Sequence, residues 1–299
     1  MAAIGFVQEA GPRSWVATPI TRAMATEGIA SGHRMVGEMI VGAATHAPRF
    51  FREAGHRCPT DPRDGLMQYA FGTKLGTFDL FRSKPDMFRD FNTFMGKTMG
   101  ARVYWVDWYP VPSRLLSPPY TPSSTTPLIV DVGGGKGHDI HAFYAKHPGQ
   151  GRLILQDLPS VTASLTNNNN TLDSSSAIEI MPYDFFTPQP VTGARAYFYH
   201  HILHDWPDAS CLQILSRVRD AMTPGGYSKL LLHEMIVPEV GASAFHAALD
   251  MTMMAFNGGM ERTETQWRDL MERAGLKVDR FWNPPQEDGD GIVEVVREE

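Results

Sequence analysis

The sequence predicts a doubly wound, Rossmann-like α/β domain, its parallel sheet closed by an antiparallel hairpin and preceded by a smaller helical cap. Three observations predict it. The apolar run Leu128-Ile-Val130 enters Asp131 and then glycines at 133, 134, 135 and 137, which reads as a buried parallel strand ending in a tight turn that a ligand can approach. Beyond residue 127 strand-like and helix-like segments alternate, as where crossover helices cover both faces of a parallel sheet. The chain finishes on Lys277-Val-Asp-Arg-Phe-Trp282 and Gly291-Ile-Val-Glu-Val-Val296, a closing hairpin that sets it apart from an ordinary dinucleotide fold.

Taken in order, Gly5-Phe-Val-Gln-Glu9 and Ser14-Trp-Val-Ala-Thr18 pair as a short hairpin, which needs packing to persist. From about 19 to 110 the pattern is helical: Met35, Met39 and Ile40 recur at helical spacing, as do Phe78, Leu80 and Phe81 with Met87, Phe88, Phe91, Phe94 and Met95. Asp61-Pro-Arg-Asp-Gly65 is loop chemistry. Residues 108–127 hold Pro110, Pro112, Pro118, Pro119, Pro122 and Pro127, a linker or irregular crossing segment and the natural boundary between a cap (19–119) and a catalytic domain (120–299). Asp139 to Lys146 starts a helix, and Arg152-Leu-Ile-Leu-Gln156 is a second strand ending at Asp157. Asn167 to Asn170 and Ser174 to Ser176 read as an exposed loop. Ala194 to Tyr199 and Ser228 to His233 are further strands, separated by a helix over Cys211, Ile214, Leu215, Val218 and Met222. A last helix starts at Thr263, with Gln266 completing a capping box, and stops at Gly275.

Composition bounds the function. The chain has 299 residues with 42% hydrophobic and 20% charged content, ordinary for a globular protein with ample core. A net charge of −6 gives no reason to expect nucleic acid or an anionic membrane. No apolar run is long enough to span a bilayer, no basic-then-apolar leader is visible, and Cys58 and Cys211 form no C-x-x-C, so a reducing, cytoplasmic setting is expected. Sixteen methionines fill core or line an adaptable pocket for a flat substrate.

Asp157 lies roughly 20 residues past the glycine loop, where such a fold grips a ribose. The loop ends on His138 where a dinucleotide fingerprint needs glycine, and Asp131 precedes it. A carboxylate repels a pyrophosphate but attracts an ammonium or sulfonium, which favours S-adenosylmethionine (SAM). His200-His-Ile-Leu-His-Asp-Trp-Pro-Asp208 follows the fourth strand of the sheet and so faces the same cleft, with Glu234 and Glu261 arriving at equivalent ends. One imidazole between carboxylates is a general-base arrangement, and a carboxylate partner narrows the gap between histidine and a phenol. Metal ligation by His200, His204 and Asp205 is not expected, because strand-to-loop spacing lacks the one-face geometry of a helical H-E-x-x-H.

The ordered set Asp131-Val-Gly-Gly-Gly-Lys-Gly137, Gln156-Asp-Leu-Pro159, His204-Asp-Trp-Pro-Asp208 and Asn257-Gly-Gly-Met-Glu-Arg-Thr263 resembles the SAM-dependent small-molecule O-methyltransferases of plants and fungi. Tyr69-Ala-Phe-Gly-Thr73 and Gly151-Arg-Leu-Ile-Leu-Gln-Asp157 are similar to the fungal secondary-metabolite branch. The resemblance implies His204 as base, with Glu234 and Glu261 orienting it. It implies cofactor contacts from Asp131, Gly133, Gly135, Asp157, Leu158, Asp184 and Phe185, and from His200 at a position the family often fills with a basic residue. Asp205, Met254 and Asn257, and more loosely Phe91, Phe94 and Met95, match positions lining a phenolic pocket. The acceptor would be an aromatic or polyketide-like small molecule. Family members form homodimers through a longer N-terminal winged-helix domain. Residues 1–18 read as its final hairpin, the rest either removed or natively short, and the resemblance no longer decides for or against the dimer and any pocket residue from a partner. Two alternatives stand beside methyl transfer: a SAM-binding pericyclase, and a non-catalytic binding protein.

Overall fold

The computed structural model describes residues 1–98, 103–121, 125–167, 177–286 and 288–299. The polar tract from 168 to 176 and Pro122 fall outside the described residues. Strands β1 (Val7–Gly11) and β2 (Ser14–Ala17) form the expected hairpin, tied to the first helix, Pro19–Met24, by the Thr18 hydroxyl, which donates to the Phe6 carbonyl at 2.8 Å. Then come β3 (Pro127–Val132), β4 (Arg152–Asp157), β5 (Ile178–Pro182), β6 (Ala196–His200), β7 (Lys229–Glu234), β8 (Ile236–Val237), β9 (Arg262–Thr263), β10 (Lys277–Trp282) and β11 (Gly291–Val296).

Seven strands make the main sheet in the order β10-β11-β7-β6-β3-β4-β5. β11 runs antiparallel to both neighbours and the other pairs are parallel, so the fold class and the closing hairpin are as the sequence predicts. Chain order reverses between β3 and β6, which opens a cleft at their carboxyl ends. On one face Tyr197, Leu230 and Val293 bury against Ile214 and Leu215 of helix Asp208–Ala221 and Trp267 of helix Glu264–Arg273. On the other, Leu128, Phe198 and Phe143 pack with Trp105, Tyr109, Val111 and Leu115. The proline-rich segment is therefore no free tether: helical turns Trp105–Trp108 and Val111–Arg114 carry it across the sheet as core.

Helices Glu27–Val36, Leu66–Phe71, Thr77–Arg82 and Pro85–Thr98 enclose a third core of Met35, Met39, Met67, Phe81 and Met87. Phe256, near the end of helix Ala244–Asn257, belongs to that core, and the Thr77 hydroxyl donates to its carbonyl. The helical part is thereby fixed to the sheet beside the cleft. Among the described residues no helix is long and apolar enough to cross a membrane.

Candidate active site

The glycine loop leaves β3 with Gly133 at φ +72° and Gly135 at φ +57°. A Cβ on Gly133 would stand 2.6 Å from Ile202, whereas Gly135 has open space around it, as a backbone cradle requires. The Gly135 N–H donates to Asp157 (2.8 Å), whose other oxygen accepts from Leu158 (2.7 Å). Burial pushes the Asp157 carboxyl up. Asp131 is buried with no side-chain partner for its carboxylate, and burial, then Asp139, pushes it well above the usual carboxylate range. A buried acid without a counter-charge is a place for a cation. The Phe185 ring borders the loop, 3.9 Å from where a Gly133 Cβ would be, while Asp184 is exposed and caps its own turn through Phe186 N–H.

His204 lies in a short 3-10 turn, Leu203–Asp205, just after β6. Its Nδ1 is 2.8 Å from Glu261 Oε1 and 3.8 Å from Glu234 Oε2, and its Nε2 is 3.7 Å from Asp205. The two glutamates do different work. Glu261 meets the imidazole, whereas Glu234 accepts the Ile202 (3.0 Å) and Leu203 (2.8 Å) N–H groups and so holds the turn. Arg262, 1% exposed, clamps the other side by donating to the Leu203 and Trp206 carbonyls (3.1 Å each) and to Asp208 (2.9 Å). The sequence reading quoted Arg262 within a motif but gave it no role, because its burial is not visible in one dimension. Gly259 faces the His204 carbonyl so closely that a Cβ would sit 2.1 Å away.

Burial lowers the His204 pKa, so the imidazole is neutral at neutral pH, and burial raises Asp205 to about 7 and Glu261 to about 7. Acids raised on folding favour the native state below their unfolded pKa and lose that contribution as pH rises through about 7. Thermal melts are therefore expected to show Asp205→Asn losing less stability than the parent across that interval. Equal losses would place the titration elsewhere.

Around this centre Trp206 contacts Phe78 of the helical part (ring centroids 6.1 Å) and Phe185 (6.2 Å). Phe91 stacks on Phe256 at 6.4 Å, and Met254 is half-buried on the same helix as Phe256. Asn257 is 1% exposed with both amide atoms unpaired. Phe94 instead packs on Gly32 of helix Glu27–Val36, and Met95 is 39% exposed. His200 turns to Asp139, its Nδ1 at 2.8 Å from that carboxylate. Asp139, His201, His233 and Asp290, which sequence reading did not single out, gather around it.

The O-methyltransferase domain family matches residues 118–277. The chain is 51% identical over 293 residues to O-methyltransferase asqD of Emericella nidulans, covering 98% of this chain and 74% of that protein. It is 51% identical over 298 residues to O-methyltransferase penC of Penicillium thymicola (99% and 72% covered). It is 34% identical over 278 residues to demethylsterigmatocystin 6-O-methyltransferase of Aspergillus flavus (93% and 68%). Among solved structures, LepI in complex with SAM superposes with a TM-score of 0.90 at 29% identity, covering 100% of this chain and 74% of that one. OxaC with sinefungin and meleagrin gives 0.85 at 29% identity (99% and 73%).

Proposed function

The chain belongs to the O-methyltransferase domain family; from that premise we propose that it transfers the methyl of SAM to a phenolic or enolic hydroxyl of a small secondary metabolite, with His204 as the general base. The observation that carries this reading is the His204 imidazole fixed at Nδ1 by Glu261, which leaves the Nε2 lone pair for the acceptor's proton. Asp131, Gly133, Gly135, Asp157, Leu158, Asp184 and Phe185 would hold the cofactor, and the buried Asp131, without a counter-charge, fits a cationic ligand. His200 is left out of this set, since its ring is engaged by Asp139. When bound, SAM supplies an electrophilic methyl carried on sulfonium.

The protein's own part is positional. Glu234 and Arg262 fix the turn, and Glu261 supports the imidazolium that forms when Nε2 takes the hydroxyl proton. Phe78, Phe91, Trp206, Met254 and Asn257 would wall a flat acceptor, with Asp205 at its polar edge and Phe94 and Met95 at most at its rim. Incubation with methyl-labelled SAM and a panel of phenols, read by mass spectrometry, tests the reading, and label in an aryl ether is the expected result. A second reading draws on the likeness to a structure described as a pericyclic reaction enzyme (TM-score 0.90, 29% identity). Rearranged acceptor without label would favour it.

A further inference from the structure

We propose that His200, His201 and Asp290 form a site for one divalent transition-metal ion of the imidazole-binding kind, such as zinc or cobalt, with Asp139 as the carboxylate behind His200. The inference is independent of the methyl-transfer reading. β6 ends on His200, His201 follows it, and Asp290 immediately precedes β11, two strands away in the sheet. His201 Nε2 is 3.0 Å from one Asp290 oxygen and His200 Nε2 is 4.0 Å from the other, and the ligand atoms of the three residues all lie within 4.8 Å of one another. Two imidazoles and a carboxylate so close need only small side-chain movements to reach bonds of about 2.0–2.2 Å to a single ion.

Three further features point the same way. A ligating histidine ordinarily gives its second nitrogen to a carboxylate, and His200 Nδ1 meets Asp139 at 2.8 Å while its buried Nε2 faces Asp290 at 4.0 Å. His201 adopts φ +52°, a left-handed conformation uncommon outside glycine, and its ring lies beside Asp290. The His233 ring lies tilted against that of His200, centroids 4.0 Å apart, with its Nδ1 buried and unpaired, and a cavity of about 10 Å³, room for one water, is lined by His233 and Asp290 with Trp108 and Pro284. Two buried carboxylates, Asp139 and Asp290, match the charge of a divalent ion. Such an ion would pin Asp290, at the start of β11, to the end of β6.

The test uses the full chain, stripped with a chelator and gel-filtered, then titrated with Co²⁺ (visible absorption) and Zn²⁺ (calorimetry). One equivalent is expected to bind. His201→Ala and Asp290→Asn should each weaken binding by roughly 10²-fold or more, and Asp139→Asn by about tenfold. His46→Ala, on an exposed helix cap, should leave it unchanged. Circular dichroism checks that each variant is folded. His201 is partly exposed, so its alanine variant carries the test if Asp290→Asn does not fold. Failure of the folded parent to take up a stoichiometric ion, or uptake that His201→Ala leaves intact, overturns the proposal and leaves protons alone to hold these pairs.

Discussion

Replacing His204 with alanine is expected to lower kcat by roughly 10³-fold, the span of positioned general-base catalysis. The affinity for SAM, measured by calorimetry, should stay unchanged. Both expectations follow from where the ring is. Its Nδ1 is held by Glu261 at 2.8 Å, and burial keeps it neutral, so it enters the reaction as an acceptor of protons. A phenol near pKa 10 gives its proton up unfavourably to such a base, and the support of Glu261 for the developing imidazolium offsets part of the difference. Glutamine at 261 should therefore retain the ring's position and still lose much of the rate. A fall in SAM affinity, with the chemical step preserved in single-turnover measurements, would assign His204 to the cofactor instead.

The second large effect is expected at Arg262. Its guanidinium is buried and donates to two backbone carbonyls and Asp208, the three bonds that tie the His204 turn to helix Asp208–Ala221. Methionine fills similar volume but removes the charged donor from both carbonyls and from Asp208, leaving the Cys211 thiol on both carbonyls and the Trp206 N–H on that of Leu203, which should cost about 3 kcal/mol in urea unfolding. Lysine keeps the charge and loses the fork, so it should recover only part of this. The rate should fall with stability, because a turn held on one side by Glu234 alone no longer fixes the imidazole. A variant that unfolds more easily yet turns over at the parent rate would show that the turn is set by other contacts.

What could be read from the sequence was what local chemistry encodes. The apolar run into the glycine loop, the capping box at Thr263 and Gln266, and the two terminal strands are each specified by neighbours within a few residues, and each is present. Helix Ala244–Asn257 went unread because its polar residues His246 and Asn257 turn inward while Phe245 and Met251 are exposed, the reverse of the usual amphipathic pattern. Strand β5 is a short edge strand following a polar tract, with little pattern to find. At the candidate site the motifs placed His204 with Glu261, but the division of labour between Glu234 and Glu261 depends on distances that only folding sets. Asp139, His200, His233 and Asp290 come from four separate segments, so nothing short of the strand order brings them together.

The contact between Gly259 and the His204 carbonyl has an evolutionary consequence. A methyl group at 259 would meet His204 oxygen at 2.1 Å and Asp205 carbonyl carbon at 2.6 Å, both main-chain atoms with no flexible tip to swing aside. A saturation library at this codon should return glycine alone among active clones, although the residue touches neither proton nor methyl. Selection on the chemistry therefore reaches a site defined by having no side chain, and lineages that change the acceptor must diversify around it.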